Sequence, residues 1–429
     1  MCCPCSFRNG GFMFIRYKLH SFIACKTICY LCYMSAPIRI IYIVAICLIV
    51  FPSILFAQNS AARKARWVDS VYNTLTEAER IGQLFMVAAY SGGRDYNEDA
   101  ITQLVANHQV GGLIFMQGTP EAQAQQNNKY QRMANVPLLI GMDAEWGLGM
   151  RLTGVKDLPR QMMIGATMDT ALAYRLGVAV AAQCKRLGVH INFAPVVDVN
   201  NNPKNPIINA RSFGEDKEWV AKLGIAYMRG MQDNGVMACA KHFPGHGDAN
   251  VDSHLDLPTL NHDLDRLRRV DWPPFQAVVD AEVASIMSAH ILFPKLDAKR
   301  PATMSPEVMG LLRSELGYDG LVITDDLEMG AIAKHWGPRD RALLPLEAGC
   351  DVVLVCHTED LQDEMLRVLE KAPDSLVEKS LERVLAFKKQ WAMDALPALT
   401  QGPPYAEHQR LAEALGWESQ AVKDPTAFR

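Results

Sequence analysis

Eight short apolar runs set the limits on how this chain can fold. In order they read QLFMVAA, VGGLIFM, PLLIGMDA, VHINFAPVVDV, MACAKHF, ASIMSAHI, GLVITDDL and DVVLVCH. They scarcely alternate apolar with polar residues, and they are rich in Val, Ile and Met. That is the pattern of strands buried on both faces of a parallel sheet. Helical patterns lie between most of them. Asp169 caps DTALAYRLGVAVAAQCKRLG, which stops at Gly188, and EDKEWVAKLGIAYMRGMQDNG ends at Gly235. Ser305 caps SPEVMGLLRSELG with Pro306 at its first position, and Thr76 with Glu79 forms a capping box ahead of the first run. Strand–helix alternation repeated about eight times predicts an α/β fold, a (β/α)8 TIM barrel forming a single catalytic domain. A doubly wound sheet is the alternative.

About half of the 429 residues are hydrophobic, enough for one barrel-sized core or two smaller ones. A net charge of −4 with no basic block argues against a nucleic-acid partner. Seven of the eleven cysteines lie before residue 48. The remaining four, Cys184, Cys239, Cys350 and Cys356, lack CxxC spacing, and three of them sit in apolar stretches and read as buried free thiols. MSAPIRIIYIVAICLIVFPSILFAQNS carries Arg39, an apolar run from Ile40 to Phe56, and then Ala57. It reads as a secretory signal or a membrane anchor. Residues 1–58 are therefore set aside as a leader, with Met34 as an alternative start. The barrel is expected over 59–395 and a helical tail over 396–429. The body is expected to be exported, to the periplasm or the cell surface, and to be a monomer.

In such a barrel the reacting groups sit at the C-terminal ends of the strands. Asp143 ends the third run, Asp198 the fourth, Lys241 and His242 the fifth, His290 the sixth, and Asp325 with Asp326 the seventh. Any one of them can be a turn former; their convergence on one rim points to chemistry. The densest stretch is KHFPGHGDANVDSHLDLP, from Lys241 to Pro258. Three chemistries compete for it. His246, Asp248, Asp252 and His254 have the composition of a metal-ligand set, but FMVAAYSGG lacks the HxH pair usual at the first strand of barrel metallohydrolases. GHG is too short for a phosphate loop. Glycoside hydrolysis needs a nucleophile and a proton donor on opposite sides of the anomeric carbon. ITDDLEM supplies a strand-end carboxylate, and DSH a histidine two residues after an aspartate. Residues i and i+2 of an extended loop point the same way, so Asp252 can bond the His254 imidazole and fix its tautomer. Gly245 and Gly247 read as hinges. Such a loop would hold Asp252 and His254 away from Asp325 until a substrate binds. A plain surface loop with an Asx turn is the competing reading.

KHFPGHGDANVDSH closely resembles the signature of the β-N-acetylglucosaminidases of glycoside hydrolase family 3. The resemblance runs from LTEAERIGQLFMVA through NFAPVVDV, ARSFGED, AHILFPKLD and PATMSPEVMGLLRSELGYDGLVITDDLEM to LEAGCDVVLVC. It implies a retaining enzyme that removes non-reducing terminal N-acetylglucosamine from peptidoglycan fragments or chitooligosaccharides. It implies Asp325 as the nucleophile, His254 as the acid/base and Asp252 as its dyad partner. Asp143, Arg211, Lys241 and His242 would bind the sugar hydroxyls, with no metal and no organic cofactor. The Asp326 side chain would either orient the site or, the preferred reading, cap the next helix, and the chain length suits the single-domain form. Many members read DQEGGRVQRL where this chain reads DAEWGLGMRL. Asp143, Glu145, Gly147 and Arg151 are kept, while Trp146 and Leu148 depart; Trp146 either stacks on a sugar or packs inward. Three rivals stay open: a substrate-assisted hexosaminidase with Asp325 and Asp326 as helpers, a metallohydrolase, and a cell-wall-binding barrel with a dead site.

Overall fold

The computed structural model describes residues 66–392, apart from Arg94 and His357. The leader (1–58) and the tail (396–429) lie outside the described residues. Eight parallel strands close a barrel in chain order. They are β1 (Phe85–Ala89), β2 (Gly112–Phe115), β3 (Leu139–Met142), β4 (Ile191–Asn192), β5 (Met237–Phe243), β6 (Ser285–Ser288), β7 (Leu321–Asp326) and β8 (Val352–Val355). Each apolar run holds one strand. Every strand residue is buried except Asp325, which is half-buried. One face of each strand fills the barrel and the other lies under helices, so no polar alternation survives.

The helices Glu98–Gln103, Pro120–Met133, Thr170–Arg186, Lys217–Gln232, Trp272–Asp280, Pro306–Ser314, Pro338–Ala348 and Glu359–Leu369 follow the strands in turn, and Asp374–Trp391 comes last. Their starts are where the capping residues put them. Thr76 Oγ1 accepts from the Glu79 amide while Glu79 Oε2 accepts from the Thr76 amide. Asp169 Oδ1 accepts from the Ala171 and Leu172 amides, and Ser305 Oγ from the Val308 amide. Each such cap contributes about 1 kcal/mol. Gly188, just past the helix Thr170–Arg186, takes φ +66°, a conformation that favours glycine. Cys184, Cys239, Cys350 and Cys356 are free and buried, as expected. Burial pushes the thiols of Cys184, Cys239 and Cys350 up to about 12, so they act as small apolar fillers.

The fourth run departs from expectation. Its regular ladder stops at Asn192, because Pro195 has no amide to donate. Pairing resumes beyond it: the Lys241 amide donates to Pro195 O at 3.1 Å and the Val197 amide to Lys241 O at 2.9 Å. Asp198 thereby reaches the rim beside β5.

A second departure lies ahead of β1. Lys388, fully buried in the last described helix, donates to Gln83 Oε1 at 2.5 Å. Burial pulls its amine down to about 7. The folded amine gives up its proton near pH 7 and the unfolded one near pH 10, so between those values the unfolded chain binds more protons and stability rises with pH. Thermal unfolding across that window should show the wild type gaining up to about 4 kcal/mol relative to Lys388→Met. Parallel curves for the two proteins would contradict this.

Candidate active site

Strands that all point one way deliver their last residues to one mouth, where charges meet in a buried cluster. Lys241, at the end of β5 and 2 % exposed, sits between two carboxylates. Its Nζ donates to Asp143 Oδ1 at 2.8 Å and pairs with Glu145 Oε1 at 2.9 Å. Arg151 Nη2 donates to Asp143 Oδ2 at 2.5 Å. Arg211, on the short turn Asn209–Arg211 after β4, grips Glu145 through Nε at 3.0 Å and Nη2 at 2.8 Å. Burial works to raise the Asp143 carboxyl, but Lys241 and Arg151 outweigh it and hold it well below the carboxylate range. For Glu145, burial is likewise outweighed by Arg211 and Lys241, which bring it to about 2. Burial would lower the Lys241 ammonium; Asp143 and Glu145 instead keep it above its ordinary value. The cluster is therefore fully ionised at neutral pH.

Asp325 stands at the end of β7. Its Oδ1 accepts from the Asp326 amide at 2.9 Å. Burial pushes its carboxyl up, and His242, His290, that amide and Lys241 together bring it below the usual range. It is an ionised carboxylate with one face on the cavity, which is what a nucleophile requires. His242 is aimed by Asp198, whose Oδ2 bonds its amide at 3.1 Å and its Nδ1 at 2.7 Å. A proton fixed on Nδ1 leaves Nε2 facing Arg211 Nη2 at 3.4 Å. The other oxygen of Asp198 accepts from the His246 amide at 2.7 Å.

The loop after β5 does not hinge at its glycines. Gly247 is packed so closely that a Cβ there would lie 1.7 Å from Val199 O, and at Gly245 a Cβ would lie 2.8 Å from Asp271 Cβ. Both are glycines of close approach, and residues 241–249 are fixed to the barrel. Asp252 Oδ1 accepts from the His254 amide and bonds His254 Nδ1, both at 2.8 Å. The dyad read from DSH is therefore formed. It is not swung away: His254 and Asp325 line the same two cavities. One, of about 260 Å³, is walled also by Lys241, His242 and Arg211. The other, of about 610 Å³, extends past Tyr90, Tyr96 and Gln117. Asp143 and Arg151 border both.

The four residues that resembled a metal nest go to separate partners. His246 is buried between the Asp198 carboxylate and Ser253 Oγ, at 3.2 Å from the latter. Burial, with His242 next, pulls its imidazole down to about 4, so it is neutral at pH 7. Asp248 accepts from Arg266 at 2.6 Å and pairs with His262 at 3.2 Å. Both shape the loop.

Asp326 caps no helix: its Oδ1 accepts from the Glu328 and Cys356 amides, tying the turn after β7 to the end of β8. The helix that follows has Met329 at its N-cap position and no side-chain cap. His290 is held by Thr303 Oγ1 at 2.8 Å and Asp326 O at 2.9 Å. The Trp146 indole lies under the Arg160 guanidinium, 4.4 Å from it, and lines neither cavity. Glu145, Arg151 and Asp198 were given no role from sequence. Part of their signal was present: Glu145 lies just past β3, Asp198 closes the fourth apolar run, and Glu145 and Arg151 both fall within DAEWGLGMRL.

Over residues 76–387 the chain matches the glycosyl hydrolase family 3 N terminal domain. It is 34% identical over 331 residues to a β-hexosaminidase of Thiobacillus denitrificans, covering 74% of this chain and 91% of that protein. It is 37% identical over 281 residues to β-hexosaminidase A of Pseudoalteromonas piscicida, covering 59% of this chain and 47% of that protein. The chain thus spans about half the length of the latter. The solved structure of a glycoside hydrolase family 3 β-N-acetylglucosaminidase from Paenibacillus superposes with a TM-score of 0.74 at 40% identity, covering 80% of this chain and 68% of that one.

Removing Glu145 would leave Arg211 and Lys241 with one carboxylate fewer in a buried setting. Glu145→Ala should lower stability by about 3–5 kcal/mol, read as the shift in a denaturant midpoint. A loss below about 1 kcal/mol would mean that the cluster is not the support it is taken for.

Proposed function

Since the chain belongs to glycosyl hydrolase family 3, we propose that it is a retaining exo-β-N-acetylglucosaminidase acting on non-reducing terminal N-acetylglucosamine. One observation carries this reading: an ionised strand-end carboxylate, Asp325, and His254, whose Nδ1 is bonded by Asp252, face the same cavities. Asp143, Arg211, Lys241 and His242 wall the smaller one and suit the hydroxyls of a sugar. Lys241 has three donors, of which Asp143 and Glu145 take two.

In the first step Asp325 attacks the anomeric carbon. The bond to the leaving oxygen breaks, and His254 gives that oxygen the proton from Nε2. Asp252 holds the other ring proton on Nδ1, so only Nε2 exchanges. In the second step His254 takes a proton from water, the oxygen of that water attacks the glycosyl carbon, and Asp325 departs as a carboxylate. The substrate-assisted rival asks for a second carboxylate beside the acetamido group; Asp326, engaged with two backbone amides, is poorly placed for it.

The substrates proposed are peptidoglycan fragments or chitooligosaccharides. The leader reading adds an exported enzyme, periplasmic or at the cell surface. A monomer is proposed.

Release of N-acetylglucosamine from chitobiose or a purified muropeptide tests the activity, and a 5-fluoro N-acetylglucosaminide tests the mechanism. The peptide holding Asp325 should gain the mass of one sugar; turnover with no adduct would favour substrate assistance. His254→Ala should cut kcat/KM on chitobiose by about 10²–10⁴ yet spare a 2,4-dinitrophenyl glycoside, whose aryloxide leaves unprotonated. Equal losses on both would remove His254 from the acid role.

A further inference from the structure

His254 can protonate a leaving group only while residues 250–257 lie over the barrel mouth. The side chains of His254 and Leu255 do little to hold it there: His254 is 58 % exposed and Leu255 66 %. Its main chain is held instead. The Gly330 amide donates to His254 O and the Ala331 amide to Ser253 O, both at 3.0 Å. Gly330 and Ala331 open the short helix Gly330–Ala333, where amides have no intrahelical acceptor. The fit there admits only glycine. A Cβ on Gly330 would lie 2.4 Å from Leu255 O and 2.7 Å from His254 O.

A second tie lies further out: Asp256 pairs with Lys334 at 3.3 Å and with His335 at 3.1 Å. Both partners follow that helix directly. From the barrel side, Ser253 Oγ meets His246 Nε2 at 3.2 Å.

We propose that Gly330, Asp256, Lys334 and His335 form a latch, a set of positioning residues that fixes the His254–Asp252 dyad over Asp325. Gly330 lies five residues after Asp325, on the turn that continues β7. One rigid segment therefore carries the nucleophile and docks the loop that bears the acid, so the distance between the two groups is set by the β7 turn rather than by the loop. This rests on the reading of His254 as the acid/base.

The test compares kcat/KM for chitobiose, which needs a proton on its leaving oxygen, with that for the 2,4-dinitrophenyl glycoside, which does not. Gly330→Ala should lose about tenfold or more on chitobiose and less than about twofold on the aryl glycoside. Asp256→Ala, at an exposed ion pair, should shift the same ratio by about two- to fivefold. Gly337→Ala, whose Cβ would meet no atom within 4 Å, should change neither. A misfolded Gly330→Ala would lose both substrates alike, and Asp256→Ala then decides. If both latch variants leave the ratio unmoved while His254→Ala moves it, the latch is wrong. If His254→Ala itself leaves it unmoved, the acid/base reading fails instead.

Discussion

A lysine ammonium buried between two carboxylates is the constraint on which the site depends. Removing an ion from water costs several kcal/mol unless partners replace the hydration shell. Lys241 finds those partners in Asp143 and Glu145, from the end of β3 across to the end of β5. Arg211 and Arg151 then neutralise the outer faces of the same two carboxylates. No member of the group can move without stranding another. The sugar-facing wall is therefore rigid because its charges leave it no other arrangement.

Asp198 adds a second point of rigidity. One oxygen orients His242, and the other anchors the backbone where the catalytic loop leaves the barrel. Beyond His246 the anchors continue through Gly247 and Ala249, whose carbonyls accept from Asn205 and Asn202, and the main chain of Ser253 and His254 then meets the turn after β7. The loop is therefore a short bridge between two fixed abutments, and its side chains are left available for chemistry.

The barrel was legible in the sequence because closure in parallel leaves every strand buried on both faces, and unalternating runs record that directly. Asp325, Asp252 and His254 were legible for a related reason: strand ends and an i, i+2 spacing are local signals. The misreadings also have physical causes. Pro195 interrupts the β4 ladder without ending the pairing, which an apolar run cannot express. Gly245 and Gly247 looked like hinges because glycine serves both freedom and close approach, and only the neighbours tell them apart. Val199 and Asp271, which settle the matter, lie 48 and 26 positions away in the chain. Lys388 was invisible for the same reason, since the acceptor of its ammonium, Gln83, is 305 residues distant.

The charge cluster has one more consequence. Asp143, Glu145 and Asp325 bring three carboxylates that Lys241, Arg151 and Arg211 balance, but Asp95 and Asp326 line the wider cavity as well. Among the described residues acidic side chains therefore outnumber basic ones at the mouth, and their field works against an approaching anion. For a neutral saccharide that loses nothing. An anionic saccharide is held off instead, and added salt, by screening that field, eases its entry.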